Sequence, residues 1–264
     1  MTFAPVVPVG GLVGFALLNR TIARQTDLFN KSPALQRDTD HFAQNIGSVQ
    51  TAEELVGDRR LLRVALGAFG LQDDIDSRAF VRAILEQGTD DRGALANRLS
   101  DDRYRRFAET FGFAQEDGPR TADPGFAARI IQQFQRREFE AAVGTQDEAL
   151  RLALNADREL GALAEDEGSA NAFWFRVLGT PPLRRVFEVA LGLPQSFAQL
   201  DIDRQLDELK TRASRQFGVS RPADLLADEK RDALLRQFLL RDQISALTVQ
   251  SSQAIALTLL RGGG

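Results

Sequence analysis

Apolar residues recur at three- and four-residue spacings almost from end to end of this chain, and that period is helical. Phe15, Leu18, Ile22 and Phe29 form one such stripe. Leu61, Leu62, Ala65 and Phe69 form another, and Ile202, Leu206, Leu209, Ala213 and Phe217 form the most regular one. Alternating Val/Ile runs, the mark of a half-buried strand, are absent apart from a short piece at Val6–Val9 that Pro8 interrupts. The expected fold is all-α, a multihelical bundle.

Start and stop signals divide the pattern. Ser32 followed by Pro33 reads as an N-cap with proline at the first helical position. Thr51 and Glu54 fit a capping box, in which each side chain satisfies the other's free amide. Asp58 is placed to cap Arg59–Phe69, and Gly70 suits the left-handed position that ends it. Gly88 stops a helix over about Ser77–Gln87, and Ser100 is read as the cap of Asp101–Phe111. Asp123-Pro124 opens a helix that Gly144 closes, and Thr145 with Glu148 reads as a second capping box for a helix to about Ala164. Thr180-Pro181 opens another, Gly218 follows the Ile202–Phe217 stripe, and the last helix runs from about Asp228 toward Leu260. Gln115–Ala122, with Gly118 and Pro119, is the expected linker.

Charge is distributed unevenly. Residues 1–19 and 243–260 carry no ionic side chain, whereas every charge but that of Arg261 lies between Arg20 and Asp242. Terminal segments of a soluble chain are ordinarily solvated. Two uncharged ends are expected to be covered, by each other or by a partner, or to be core helices that happen to be terminal. Phe15, Leu18 and Ile22 at one end, and Ile244, Leu247, Ile255 and Leu259 at the other, are the candidate contact residues. Trp174 joins them, because Phe173, Trp174 and Phe175 cannot all face one core from a helix. Either one of the three is exposed at an interface, or the segment wedges between two helical repeats, and the wedge is the favoured reading.

Two stretches look alike. Residues 61–71 and 183–193 share six of eleven positions, Asp74-Ile-Asp76 matches Asp201-Ile-Asp203, and Phe111 matches Phe238, with the offset moving only from 122 to 127. A three-helix unit present twice is expected. The segments are then an apolar N-terminal arm over 1–50, a first repeat over 51–114, connecting helices over 121–178, a second repeat over 180–242 and the uncharged C-terminal helix over 243–264.

The inventory for chemistry is thin. With no cysteine there is no thiolate site, and one histidine rules out a multi-histidine metal site within one chain. His41, beside Asp38 and Asp40, lacks the Gly-x-Ser-x-Gly elbow of a hydrolase and reads as a surface or helix-terminal histidine. Gly10-Gly11-Leu-Val-Gly14 lacks the Gly-Lys-Ser/Thr of a phosphate loop. Asp73, Asp74 and Asp76, like Asp201 and Asp203, stand just before predicted helices and read as caps, without EF-hand spacing. The basic clusters at Arg103–Arg106 and Arg136–Arg137 are interleaved with acids and read as solvated ion-paired faces. A net charge of −4 argues against nucleic-acid binding. The apolar N-terminus has no preceding cation, is broken by Pro and Gly, and is shorter than the ~20 residues of a membrane span. No catalytic residue, cofactor or metal is expected.

Several runs carry a resemblance. Pro5-Val-Val-Pro-Val-Gly-Gly11, Leu18-Asn-Arg-Thr21, Arg37-Asp-Thr-Asp40, Arg60-Leu-Leu-Arg-Val-Ala-Leu-Gly-Ala-Phe-Gly-Leu71, Ala96-Asn-Arg-Leu99 and Phe134-Gln-Arg-Arg-Glu-Phe139 resemble the DUF1217 family. These are uncharacterised multihelical alphaproteobacterial proteins, often encoded among flagellar genes. The resemblance implies a flagellar context and no reaction. The expectation is a non-enzymatic structural or assembly protein, cytoplasmic or flagellum-associated, acting through helix-mediated protein contacts. Its partner would be a flagellar component or a second copy. The alternative is a cytoplasmic export chaperone or regulator whose ends close into its own core.

Overall fold

A computed structural model describes residues 3–164, 170–219, 221, 224–225 and 227–261, with the side chains of 162, 164, 170 and 249–261 left out. Among the described residues there are thirteen α-helices, short 3₁₀ turns and no strand. The helices are α1 (Gly11–Asn30), α2 (Pro33–Asn45), α3 (Ala52–Gly57), α4 (Arg59–Phe69), α5 (Arg78–Gln87), α6 (Leu95–Arg98), α7 (Asp102–Phe111), α8 (Phe126–Gly144), α9 (Glu148–Ala164), α10 (Ala170–Gly179), α11 (Pro181–Leu191), α12 (Ile202–Phe217) and α13 (Asp228–Arg261). The protein is all-α.

The helices form two compact units. The first comprises residues 1–6 and 20–145, the second residues 7–19 and 146–264, so α1 contributes to both. The expected linker at 115–122 therefore lies inside the first unit, not between units. Polar composition suggested a boundary there, but Thr121 is buried and its hydroxyl donates to the Val49 carbonyl at 2.7 Å. That bond ties the turn to the core.

In the first unit α4 is the central element, packed on α8, α2, α3 and α7. Leu62, Val64, Ala65 and Leu66 of α4 are all fully covered, so the helix is apolar around most of its circumference. Phenylalanines fill the space around it: Phe42, Phe107, Phe111, Phe126 and Phe134 are each at most 1% exposed. In the second unit α11 has the matching place, packed on α13, α9, α10 and α12. Its core comes from Val186 and Phe187, from Leu150 and Leu160 of α9, from Leu209 of α12, and from Leu234, Leu235 and Phe238 of α13.

The two similar sequence stretches end alike. Gly70 and Gly192 both adopt left-handed conformations, with φ of 72° and 64°. The amide of Leu71 bonds the Leu66 carbonyl at 2.9 Å, and that of Leu193 bonds the Glu188 carbonyl at 2.9 Å. This is the Schellman pattern, formed at equivalent positions. Arginine side chains also reach both helix ends, Arg103 at the Gly70 carbonyl and Arg212 at the Gly192 carbonyl, where the dipole favours cations.

Some of the predicted caps form, whereas Ser32 stands at the N-cap of α2 with Pro33 after it but its side chain makes no capping bond. Thr51 and Glu54 make the capping box, and Asp58 accepts from the amides of Arg60 and Leu61. Several further expectations need correction. Asp101, not Ser100, caps α7, accepting from the Arg103 amide. Asp147, not Thr145, serves α9, accepting from the Leu150 amide at 3.0 Å, while the Thr145 hydroxyl bonds back to Ala142. In both cases a carboxylate one or two residues further on is the stronger acceptor next to free amides. Ile202 opens the α12 stripe but is 49% exposed, because it sits at the first position of the helix, past the edge of the core. Of the aspartates read as caps, Asp201 does cap α12, but Asp76 pairs with Arg59 and Asp74 accepts from Tyr104.

Candidate interaction surface

Ionic side chains are mostly spent on structure. His41, near the end of α2, meets the cap carboxylate Asp58 at 2.7 Å through Nε2, and Asn45 lies 3.3 Å from its Nδ1. Burial alone would raise Asp58, but hydrogen bonds from His41 and from the amides of Leu61 and Arg60 outweigh it and hold the carboxyl below its ordinary value. Arg63 bridges Asp38 at 2.8 Å and Glu138 at 3.4 Å. Burial pushes the Glu138 carboxyl up; Arg63 opposes this and Asp38 adds to it. Arg105 is held by Asp102 and Glu109 on α7 itself. Among the described residues no group of three or more metal-ligating side chains is arranged around a common point.

The only tyrosine of the chain is Tyr104, whose hydroxyl donates to Asp74 at 2.6 Å. Burial, followed by that bond and the Asp74 charge, pushes the phenol well above its ordinary value of 10. Because the folded state holds the proton more tightly than the unfolded one, this contribution to stability is complete below pH 10 and is lost as pH rises beyond it. Tyrosinate absorbance of the native protein is therefore expected to stay absent at pH values where an exposed tyrosine is fully ionised, then to appear together with unfolding. Ordinary titration near pH 10 in the folded state would refute it.

Of the candidate contact residues, those at the N-terminal end are covered and those described at the C-terminal end are exposed. Phe15 is 9% exposed and Leu18 1%, both covered within the second unit, and Ile22 is partly buried. Trp174 is also buried, packed edge-on against Phe173 and Phe187, while Phe175 is 42% exposed. One of the three consecutive aromatics does face solvent. The α13 side chains tell the opposite story. Leu234, Leu235, Phe238 and Leu239 enter the core, whereas Leu240, Ile244 and Leu247 stand out at 42%, 62% and 60% exposure. These three fall at positions i, i+4 and i+7, a single face of the helix. Ile255 and Leu259 lie outside the described side chains. At the N-terminal side Val13 and Leu17 are exposed as well. The two ends meet where the Gln243 side chain lies against Gly11; a Cβ there would stand 2.8 Å from Gln243 Oε1. Sequence reasoning placed Ile244 and Leu247 among the contact residues but missed Leu240, which precedes the uncharged run and could have been found from the heptad spacing alone.

This is an all-α protein of two helical units in which Leu240, Ile244 and Leu247 stand exposed along one side of α13. It belongs to the DUF1217 family, described as proteins of unknown function, whose model matches residues 68–225. It is similar to a protein from Agrobacterium tumefaciens with an X-ray crystal structure from the Northeast Structural Genomics Consortium. The similarity has a TM-score of 0.74 at 25% identity, over 92% of this chain and 99% of that one. A comparison with curated proteins finds no match. Among the described residues no helix is long and apolar enough to cross a membrane.

Proposed function

We propose that this protein is a non-enzymatic, flagellum-associated structural or assembly protein that works through helix-mediated protein contacts. The single observation that carries the contact role is the apolar α13 face at Leu240, Ile244 and Leu247. Lone exposed apolar residues are ordinary, but three aligned on one uncharged helix face are the pattern an amphipathic helix presents to a groove or to another helix. The flagellar context comes from the family resemblance. The partner is a flagellar component or a second copy of the chain, and the protein is cytoplasmic or flagellum-associated.

The variant carrying Ile244→Asp and Leu247→Asp tests this. Both side chains are more than half exposed, so thermal stability is expected to change little. Capture of flagellar components from motile cells is expected to be lost, because a charge buried in an apolar contact is strongly unfavourable. Undiminished capture by the variant would sink the role of this face. A deletion strain with normal motility would sink the flagellar context.

The burial of Phe15 and Leu18 within their own chain favours a second reading, a cytoplasmic export chaperone or regulator of flagellar assembly. It requires amides on both terminal segments to be protected from hydrogen exchange in the dilute monomer. Protection of the α13 segment only on association favours the first reading.

A further inference from the structure

We propose that α1 carries a docking site for an extended peptide, filled within one chain by its own residues 5–9 and open to the same residues of a second copy. Pro5-Val-Val-Pro-Val9 leads into α1 through Gly10 and Gly11, and Gly11 has a φ of 65°. That left-handed residue lets the segment fold back along the helix it precedes, as a strap.

The strap is held through its main chain. The Val6 amide donates to Gln25 Oε1 at 2.6 Å, and Gln25 Nε2 donates to the Val6 carbonyl at 3.3 Å. One side-chain amide thus pairs with both backbone groups of one residue, as a neighbouring strand would. Gln25 is 8% exposed, and its Nε2 also donates to Thr21 Oγ1 at 2.9 Å, one turn back, which fixes its direction. At the other end the Val9 carbonyl lies so close to Gly14 that a methyl group there would overlap it. Gly14, Thr21 and Gln25 stand at i, i+7 and i+11, along one face of α1. The extended chain from Val6 to Val9 spans ~10 Å and the helix from Gly14 to Gln25 ~16 Å, and the backward lean of Gln25 makes up the difference.

The ligand class follows from these contacts. The Val6 and Val9 side chains are 58% and 46% exposed, so the main chain carries the recognition. Pro5 is buried, and the prolines at 5 and 8 hold the backbone extended before it docks, which lowers the cost of ordering it. Neither the strap nor Gly14, Thr21 and Gln25 carries a charge. The site therefore takes an uncharged, proline-flanked extended peptide, and a second copy presents that peptide by identity. Contacts within one chain and between two chains are the same, so exchange through the Gly10–Gly11 hinge forms a dimer with no new chemistry. None of these residues belongs to the α13 face, so failure of either reading leaves the other standing.

Two full-length variants separate strap from site. Val6→Pro deletes the amide donor of the strap and leaves the site whole. Gly14→Ala blocks the site at the Val9 carbonyl and leaves the strap sequence whole. A fluorescein-labelled peptide of residues 3–9 is expected to bind the Val6→Pro chain saturably, and about tenfold more tightly than the parent, whose own strap competes at high effective concentration. The same peptide methylated on the Val6 nitrogen is expected to lose about tenfold in affinity, and so is a chain carrying Gly14→Ala beside Val6→Pro. Labelled Gly14→Ala chains, with a released strap and a blocked site, are expected to associate with Val6→Pro chains about tenfold more tightly than with one another. Any association through α13 is equal in the two mixtures. Circular dichroism checks that the variants fold, and if Gly14→Ala does not, Gln25→Leu blocks the site at its other end. No saturable binding of the peptide by the Val6→Pro chain, equal binding of the methylated peptide, or equal association in the two mixtures overturns the proposal.

Discussion

Replacing Phe111 by alanine is expected to destabilise the first unit by about 3–5 kcal/mol, the usual cost of removing a fully buried phenyl ring. Phe111 has no exposed surface, and it stands at the centre of an aromatic group. Its ring centroid lies 5.0 Å from Phe107, 5.2 Å from Phe126, 6.0 Å from Phe113 and 6.3 Å from Phe69. Those partners come from α7, α8, α4 and the turn after α7, so no single helix can shift to close the hole. The cavity term therefore adds to the lost transfer energy rather than being relaxed away. Chemical denaturation followed by circular dichroism reads the effect as a fall in midpoint. A loss below about 1 kcal/mol would mean that the core collapses around the gap, contrary to this packing.

Gly67→Ala is the second large effect, and here two terms of opposite sign compete. Gly67 is inside α4, where alanine gains about 1 kcal/mol of helix propensity. A methyl group at that position, however, would lie 2.6 Å from both Cδ2 and Cε2 of Phe134. Phe134 has no exposed surface, so its ring has nowhere free to move. Overpacking of this kind costs ~1–3 kcal/mol, so the clash is expected to outweigh the propensity gain and the variant to be less stable than the parent. Combining Gly67→Ala with Phe134→Leu supplies the control. The two substitutions touch the same space, so their costs are expected to be strongly non-additive, with the pair losing less than the sum of the singles. Additive losses would show that the close approach of α4 to α8 is not the reason for glycine at 67.

Much of this architecture was legible before any coordinates. The capping box at Thr51 and Glu54, the Asp58 cap and the glycines that close α4 and α12 act through neighbours within four residues, and local chemistry of that range is written in the sequence. The misreadings at Ser100 and Thr145 are of the same short range. Each was a choice between a hydroxyl and a nearby carboxylate, Asp101 or Asp147, and the carboxylate took the amides. The contact face was legible in part: Ile244 and Leu247 were read as contact residues from the uncharged run, whereas Leu240 lies before that run and was passed over.

Helix content, most helix ends and the two uncharged terminal runs follow from the sequence by itself, because helical period and capping depend on residues a few positions apart. Which of the described apolar residues near the two ends would be covered was decided by tertiary packing. Phe15 and Leu18 are buried, while Leu240, Ile244 and Leu247 stay open, although all five are apolar residues at helical spacing. Burial depends on whether another element arrives to remove the water, and α13 presents those three side chains beyond the part of the helix that Leu234, Leu235 and Phe238 anchor in the core.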